Sequence, residues 1–403
     1  MGMLDRRRFL AGLASTGSGI SLARAQPIEP ARPREPIPAA AASGMRFVWY
    51  GSSASVPGVR RQIEPDPQGN WYNTLTGQRV FREFDTPSSS GAGFVVFDVL
   101  SAEDNRFLSW MTTHLIRPDV GNATTITDAN GILSGMPTFG DVWFPPPQLA
   151  GFADQNEPDL RVLRGPASVG GKTYQALRFQ SRGPDGWAQY TYDLDSGLLL
   201  VSSSTTQGGP VLTLDPSRRP VLGAGNTLLT YTQFSGARRT TLPGPDAAYP
   251  AQVRRLRAFQ YNGTRGIVMA GSDLQLPPTG LSIRYDITSN SGSYLNARMT
   301  VSGLTGGTSE RLIPAGVIGS LWMEPDVIGR YRAGQVLDRD ALTGVQTLVF
   351  EQQSDLVLLG TRTALAQQTF GYNRRSGILT RSELRQQVGP ATDIIAMQLA
   401  GTQ

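Results

Sequence analysis

Tyr190-Thr191-Tyr192-Asp193-Leu194-Asp195-Ser196-Gly197 runs straight into the apolar Leu198-Leu199-Leu200. Near the other end of the chain, Phe370-Gly371-Tyr372-Asn373-Arg374-Arg375-Ser376-Gly377 leads into Ile378-Leu379 in the same way. The shared pattern is aromatic, spacer, Tyr, Asp or Asn, two free positions, Ser, Gly, aliphatic. A shorter version stands at Tyr72–Gly77, and the turn alone recurs at Asp340-Ala341-Leu342-Thr343-Gly344. An Asp or Asn side chain that opens a turn accepts hydrogen bonds from backbone N–H groups two or three residues on. The Gly four residues later supplies the positive φ that closes a hairpin with a bulge. Aromatic and aliphatic flanks suit a half-buried strand. Asn replaces Asp in two of the copies, so a cation site is not what the phrase preserves. It encodes a β-hairpin.

Four features occur in the same order in both halves. Arg46–Ser52 matches Arg257–Thr264, with Tyr50 set against Tyr261. Phe94–Leu100 matches Leu281–Ile287, Trp143-Phe144-Pro145-Pro146 matches Trp322-Met323-Glu324-Pro325, and Tyr192 matches Tyr372. Phe97 to Tyr285 is an offset of 188 residues, Trp143 to Trp322 one of 179, and Tyr192 to Tyr372 one of 180; the first pair, Tyr50 to Tyr261, gives 211. Retained order implies tandem duplication of one β-rich unit. The expected fold is all-β: two tandem lobes, each an antiparallel curved sheet or partial barrel with few short helices. The first lobe is expected over 45–243 and the second over 250–403, with Gly244-Pro245 and Tyr249-Pro250 marking the join. Short helical turns are expected after Pro146 and from Pro325. Residues 106–116 fit either period, and the strand is favoured with a hairpin at Ala102–Asn105. The repeated hairpins resemble those of bacterial periplasmic lipid-carrier half-barrels, a likeness confined to the hairpins.

The amino terminus reads as an address. Asp5-Arg6-Arg7-Arg8-Phe9-Leu10 resembles the twin-arginine export signal, carried by Arg6, Arg7, Phe9 and Leu10. A short apolar stretch ends in Ala23-Arg24-Ala25, a small-x-small cleavage site after Ala25. The resemblance implies bacterial export in a folded state, the export machinery as partner, and a periplasmic or secreted protein starting at Gln26. The stretch is too short and broken to span a membrane. Residues 26–44 follow as a Pro/Ala-rich tether, since closely spaced prolines favour extended polyproline II.

Composition excludes much chemistry. Among 403 residues there is no Cys and one His, and the formal charge is +5. Cleavage would remove four arginines and one aspartate and leave about +2, too little to draw in nucleic acid. Absent cysteine rules out disulfides and thiolate metal sites, and one imidazole cannot build a multi-histidine centre. The paired arginines, Arg238-Arg239 among them, read as solvated surface. Gly165–Thr173 resembles a phosphate-binding P-loop, but Pro166 stands where that motif needs Gly, and an alternating strand follows where it needs a helix.

The chemistry that stays open is sparse. His114 could act as a base or a single ligand, and no Gly-x-Ser-x-Gly elbow supports a triad around it. Acids at Glu64, Asp66, Glu83, Asp85, Asp98, Asp141, Asp185 and Glu324 could supply a glycosidase-like pair, with nothing in the sequence to select one. Asp98 and Asp286 hold matching places and suggest a shared structural duty. Trp143 and Trp322 could stack a sugar or line an apolar pocket, or plug the open end of a curved sheet, which is favoured. The expectation is a non-catalytic envelope protein binding an apolar or carbohydrate ligand in or between its lobes. Trp143, Trp322 and His114 are the candidate ligand residues, and no metal, cofactor or nucleic acid is expected. A structural or adhesive surface protein and a secreted hydrolase using paired carboxylates are the alternatives.

Overall fold

The structure is a computed structural model. It describes residues 42–56, 59–63, 81–85, 89–103, 106–118, 121–134, 140–183, 186–207, 211–214, 220–223, 227–269, 277–303 and 307–403. The export signal with Arg6, Arg7, Phe9, Leu10 and Ala25, the tether up to residue 41 and the phrase at Tyr72–Gly77 lie outside these residues.

Strands dominate. The first part of the chain supplies β1 (Met45–Val56), β2 (Val59–Ile63), β3 (Phe81–Asp85), β4 (Ser89–Glu103), β5 (Arg106–Arg117) and β6 (Ala123–Ser134). After helix α1 (Pro146–Gly151) come β7 (Gln155–Asn156), β8 (Leu160–Val169), β9 (Lys172–Gly183), β10 (Gly186–Asp193), β11 (Leu199–Gln207), β12 (Val211–Leu214), β13 (Pro220–Gly223) and β14 (Thr227–Arg239). Helix α2 (Ala251–Arg254) precedes β15 (Ala258–Met269), β16 (Thr279–Asn290), β17 (Tyr294–Ser302) and β18 (Gly307–Pro314). Helix α3 (Pro325–Ile328) then leads to β19 (Val336–Arg339), β20 (Gln346–Gln352), β21 (Leu356–Arg362), β22 (Ala366–Asn373), β23 (Leu379–Val388) and β24 (Ala391–Thr402).

Two ten-stranded sheets carry the duplication. The first runs β6-β5-β4-β1-β14-β11-β10-β9-β8-β7, and the second β18-β17-β16-β15-β24-β23-β22-β21-β20-β19. Counterparts occupy every place, with α1 and α3 both standing after the outermost strand of one flank. The remaining strands form a separate sheet, β12-β13-β2-β3, which the second lobe lacks among its described residues.

Register agrees as closely as order. Phe97 pairs with Met111 and Tyr285 with Met299, and bulges follow at Val99/Ser101 and Ile287/Ser289. Tyr192 pairs with Leu199 after a bulge at Thr191/Tyr192, and Tyr372 pairs with Leu379 after one at Gly371/Tyr372. One sequence match needs correction. The Trp49 ring meets Phe97 edge-on at 5.4 Å as the Tyr261 ring meets Tyr285 at 6.2 Å, so Tyr261 answers Trp49 and not Tyr50. Strand side chains alternate between faces, and a one-residue slip would turn the whole set outward.

The turn phrase behaves as its chemistry requires. Asp193 Oδ2 accepts the Ser196 N–H at 3.0 Å, and Asn373 Oδ1 accepts the Ser376 N–H at 2.9 Å. Asp340 Oδ1 accepts the N–H groups of Leu342 and Thr343 at 2.9 and 3.1 Å. Gly197, Gly344 and Gly377 all take φ between 72° and 75°. The Trp322 segment docks on the second full phrase: the Trp322 indole N–H donates to Ser376 O at 2.9 Å and the Met323 N–H to Gly377 O at 2.9 Å. A Cβ on Gly377 would stand 2.0 Å from Met323 O, so Gly is required there for closeness as well as for φ.

The described chain divides into two compact units. One holds Tyr50–Ala92 and Pro146–Phe234; the other holds residues 42–49, Gly93–Pro145 and Ser235–Gln403. In the first, Phe152 and Tyr192 meet Phe179 edge-on, with centroids 5.0 and 6.1 Å away. In the second, Phe259, Leu295, Val349, Val357, Leu359 and Tyr372 are fully buried around Ile328 of α3. Fully burying one such side chain stabilises by about 1.5–3 kcal/mol.

Candidate functional site

The second unit buries an ionic cluster. Arg46 of β1 grips Asp98 of β4 with two parallel bonds, Nε to Oδ1 at 2.7 Å and Nη2 to Oδ2 at 2.8 Å. Its Nη1 donates to Asp338 Oδ2 at 2.8 Å and to Asp340 Oδ2 at 3.0 Å. Arg238 of β14 closes the group with bonds of 2.7 and 2.6 Å to Asp338 and 3.2 Å to Asp340. Every oxygen of the three carboxylates is engaged, since Asp340 Oδ1 caps its own turn. Burial works against the Arg46 charge, but Asp98 and then Asp338 and Asp340 outweigh it and raise its pKa. Burial would raise Asp340, yet Arg46, the Thr343 N–H and Arg238 hold it below its ordinary value. Satisfied in this way, the cluster is a fastening.

Two expectations change here. Arg238 is not solvated surface, because its guanidinium is spent on buried acids. Asp98 and Asp286 do not share a duty: Asp286, half exposed, pairs with Arg284 of its own strand, and buried Ala258 faces it in register.

His114 lies in β5, which is a strand as expected. It is 4% exposed. Its Nε2 lies 3.0 Å from Thr112 Oγ1, and its Nδ1 has no hydrogen-bond partner among the described residues. Burial pushes the imidazole down to about 4; the Arg46 charge adds to this and Asp340 opposes it. The ring is therefore neutral at ordinary pH, with the unshared nitrogen enclosed.

Trp143 and Trp322 are buried, and the Trp143 ring meets Phe107 edge-on at 5.3 Å while Trp322 tilts against Tyr249 at 5.8 Å. Of the acids, Glu324 is exposed before α3 and Asp141 is half-buried. Glu64, Asp66, Asp185 and the side chains of Glu83 and Asp85 lie outside the described residues. Gly170 and Gly171 turn the β8–β9 hairpin, so the P-loop-like stretch is a strand, a turn and a strand.

A hollow of about 630 Å³ opens on the second sheet. Its floor can be read from register. Asn262, Gln398, Arg381, Gly371, Leu358 and Glu351 are successive partners across β15, β24, β23, β22, β21 and β20. Thr264, Ala396, Glu383 and Thr369 form the next row. These positions alternate with buried Tyr261, Tyr372, Val357 and Val349, so the floor is the face turned away from the core. Arg381 lies flat across Gly371, where a Cβ would come within 2.6 Å of its Cγ, and reaches Glu351 at 3.7 Å. Glu383 is bonded by Arg385. Phe350 lines the hollow and carries the Arg362 guanidinium 5.1 Å over its ring.

Neither place was singled out in the sequence. The members of the fastening stand up to 294 residues apart; the sequence marked Asp98 as an acid, Arg238 as one of a pair and Asp340 as a turn, and nothing in it joined them. The hollow is floored by strand positions that look like any solvent-facing row. Repeat comparison would have found it: the cross-strand pair Thr191–Val201 of the first lobe becomes Gly371–Arg381 in the second.

No protein-family model matches this chain, and no curated protein matches it. Among solved structures it is similar to a double mutant of transferrin binding protein B from Haemophilus parasuis. That match is 8% identical, covers 89% of this chain and 78% of that one, and has a TM-score of 0.15. It is also similar to intact Ap-TbpB with its N and C lobes, at 8% identity, 90% and 79% coverage and a TM-score of 0.12. At those scores the two-lobe description rests on this chain's own strand order and register.

Proposed function

We propose that this chain is an exported bacterial envelope protein, non-catalytic, that holds a small ligand on its second β lobe. The observation that carries the reading is the hollow flooring β15 and β20–β24, whose volume lies in the ordinary range for ligand sites. Its rows bring the polar side chains of Asn262, Gln398, Thr264 and Thr369 together with Leu358 and Phe350. The signal-like start supports export, with the mature chain beginning at Gln26. No helix among the described residues is long and apolar enough to cross a membrane. Trp322 acts in this reading as a plug in the core of the second lobe, and Trp143 as its counterpart in the first.

Native mass spectrometry of the protein purified from the periplasm tests the binding half, with a retained small molecule expected. A bare polypeptide mass, with no molecule bound from a periplasmic extract, would remove it. Amino-terminal sequencing tests export: Gln26 is expected, and the Arg6→Lys/Arg7→Lys double variant should stay in the cytoplasm unprocessed.

A further inference from the structure

We propose that the hollow takes an uncharged saccharide, laid across the strands between the Asn262 and Gln398 amides and the Phe350 ring. This rests on the ligand-binding reading above and names its class. The charges on the floor stand beside neighbours of opposite sign. Arg381 is drawn to Glu351 at 3.7 Å, Glu383 is bonded by Arg385, and Arg362 is held over Phe350 and bonded to Gln367 at 3.2 and 3.3 Å. An anionic ligand would meet the carboxylates of Glu351 and Glu383 on the same floor, and a cationic one the guanidinium of Arg381. An acyl chain would need a mostly apolar lining, which the floor does not provide.

What stays available is neutral and two-sided. Gln398, Thr264 and Thr369 make no side-chain hydrogen bond with any described residue, while Asn262 Oδ1 accepts from Gln260 Nε2 at 3.1 Å and leaves the Asn262 amide N–H groups to donate; amides and hydroxyls both donate and accept. A sugar presents the same mixture of donors and acceptors on one edge and C–H groups on its faces, and C–H faces stack on aromatic rings such as Phe350. Gly371 matters to the shape. With no side chain there, Arg381 lies down along the floor and leaves the space above it clear. The first lobe has Thr191 and Val201 in the same register, so the feature belongs to the second lobe alone.

The test uses the mature chain in titration calorimetry with maltohexaose, cellohexaose, chitohexaose and mannohexaose, and with decanoate and inorganic phosphate for comparison. Saturable binding of at least one hexasaccharide is expected. Gln398→Ala and Asn262→Ala should each weaken it at least tenfold, while Gln233→Ala, the register equivalent of Gln398 in the first lobe, leaves it unchanged. Gly371→Val should abolish it by lifting Arg381; the two surface variants keep the test valid if that one misfolds. Failure of all four hexasaccharides overturns the assignment. If decanoate or phosphate then binds and is lost in Gln398→Ala, the ligand-binding reading stands and only the class falls. Binding of a hexasaccharide that is indifferent to Gln398, Asn262 and Gly371 also overturns it.

Discussion

Arg46 Nη1 lies 3.0 Å from Asp340 Oδ2, while the other oxygen of that carboxylate caps a turn. One side chain thus fixes a local hairpin and joins it to a strand almost 300 positions earlier. Taking one partner from a buried, satisfied ion cluster leaves the others charged and dry, at a cost of about 3–5 kcal/mol. Arg46→Ala should therefore lower stability by that amount in urea denaturation. Arg298→Ala, which removes an exposed pair with Glu310, should change it by less than about 1 kcal/mol. Equal effects from the two would show that the cluster is not a fastening.

His114 predicts the acid response. In the unfolded chain the ring titrates near its ordinary 6.5, and in the fold at about 4. Between those values the unfolded state binds a proton that the folded state refuses. Stability is therefore complete above about 6.5 and falls as pH drops through the window, by about 3 kcal/mol in all. Asp340, held below its ordinary value, adds a further loss in stronger acid. His114→Gln should flatten urea midpoints between pH 6.5 and 4. The chain has a single histidine, so its imidazole proton resonance can be followed directly. A ring that titrates near 6.5 in the folded protein would refute the assignment.

Glycines of the same φ should differ in cost. Gly344 has open space where a Cβ would go, whereas Gly377 faces Met323 O at 2.0 Å. Gly344→Ala should cost only the left-handed penalty of about 1–2 kcal/mol. Gly377→Ala must also push the Trp322 segment off the hairpin and should cost clearly more. Thermal midpoints of the two variants give the comparison, and a larger drop for Gly344→Ala would contradict it.

Those hairpins were legible because their cause is local. An Asp or Asn and a Gly four positions later fix a turn whatever surrounds them, and aliphatics beyond it choose the strand. The duplication was legible for the same reason, through Tyr192 and Tyr372. Its exact register at Tyr50 was not, because Tyr50 and Trp49 are both aromatic and only the ring met across the sheet, Phe97 for Trp49, tells them apart. The fastening was invisible because Arg46 looks like any arginine until Asp98, Asp338 and Asp340 converge on it. The hollow was invisible because Gln398 and Arg381 are ordinary letters for an exposed strand.

Trp322 separates stability from binding. Buried against Tyr249 and bonded to Ser376 O, it should cost about 3–5 kcal/mol as Trp322→Ala. Ligand affinity measured on the fraction still folded should be unchanged, since Tyr249 and Ser376, on which it is stacked and bonded, do not line the hollow. Loss of affinity in a fully folded variant would make Trp322 a ligand platform instead.

The first and last strands of the second sheet lie side by side. β15 pairs with β24 over nearly its whole length, and the Arg257 N–H donates to Gln403 O at 2.5 Å. At the start of the chain, the Thr240 N–H reaches Gly44 O at 2.9 Å in a comparable closure. A module whose ends touch can be copied head to tail with only a short join between copies. It can equally be circularly permuted: fusing residue 403 to residue 257 and reopening the chain at Ser291-Gly292 would preserve every strand pairing of the sheet.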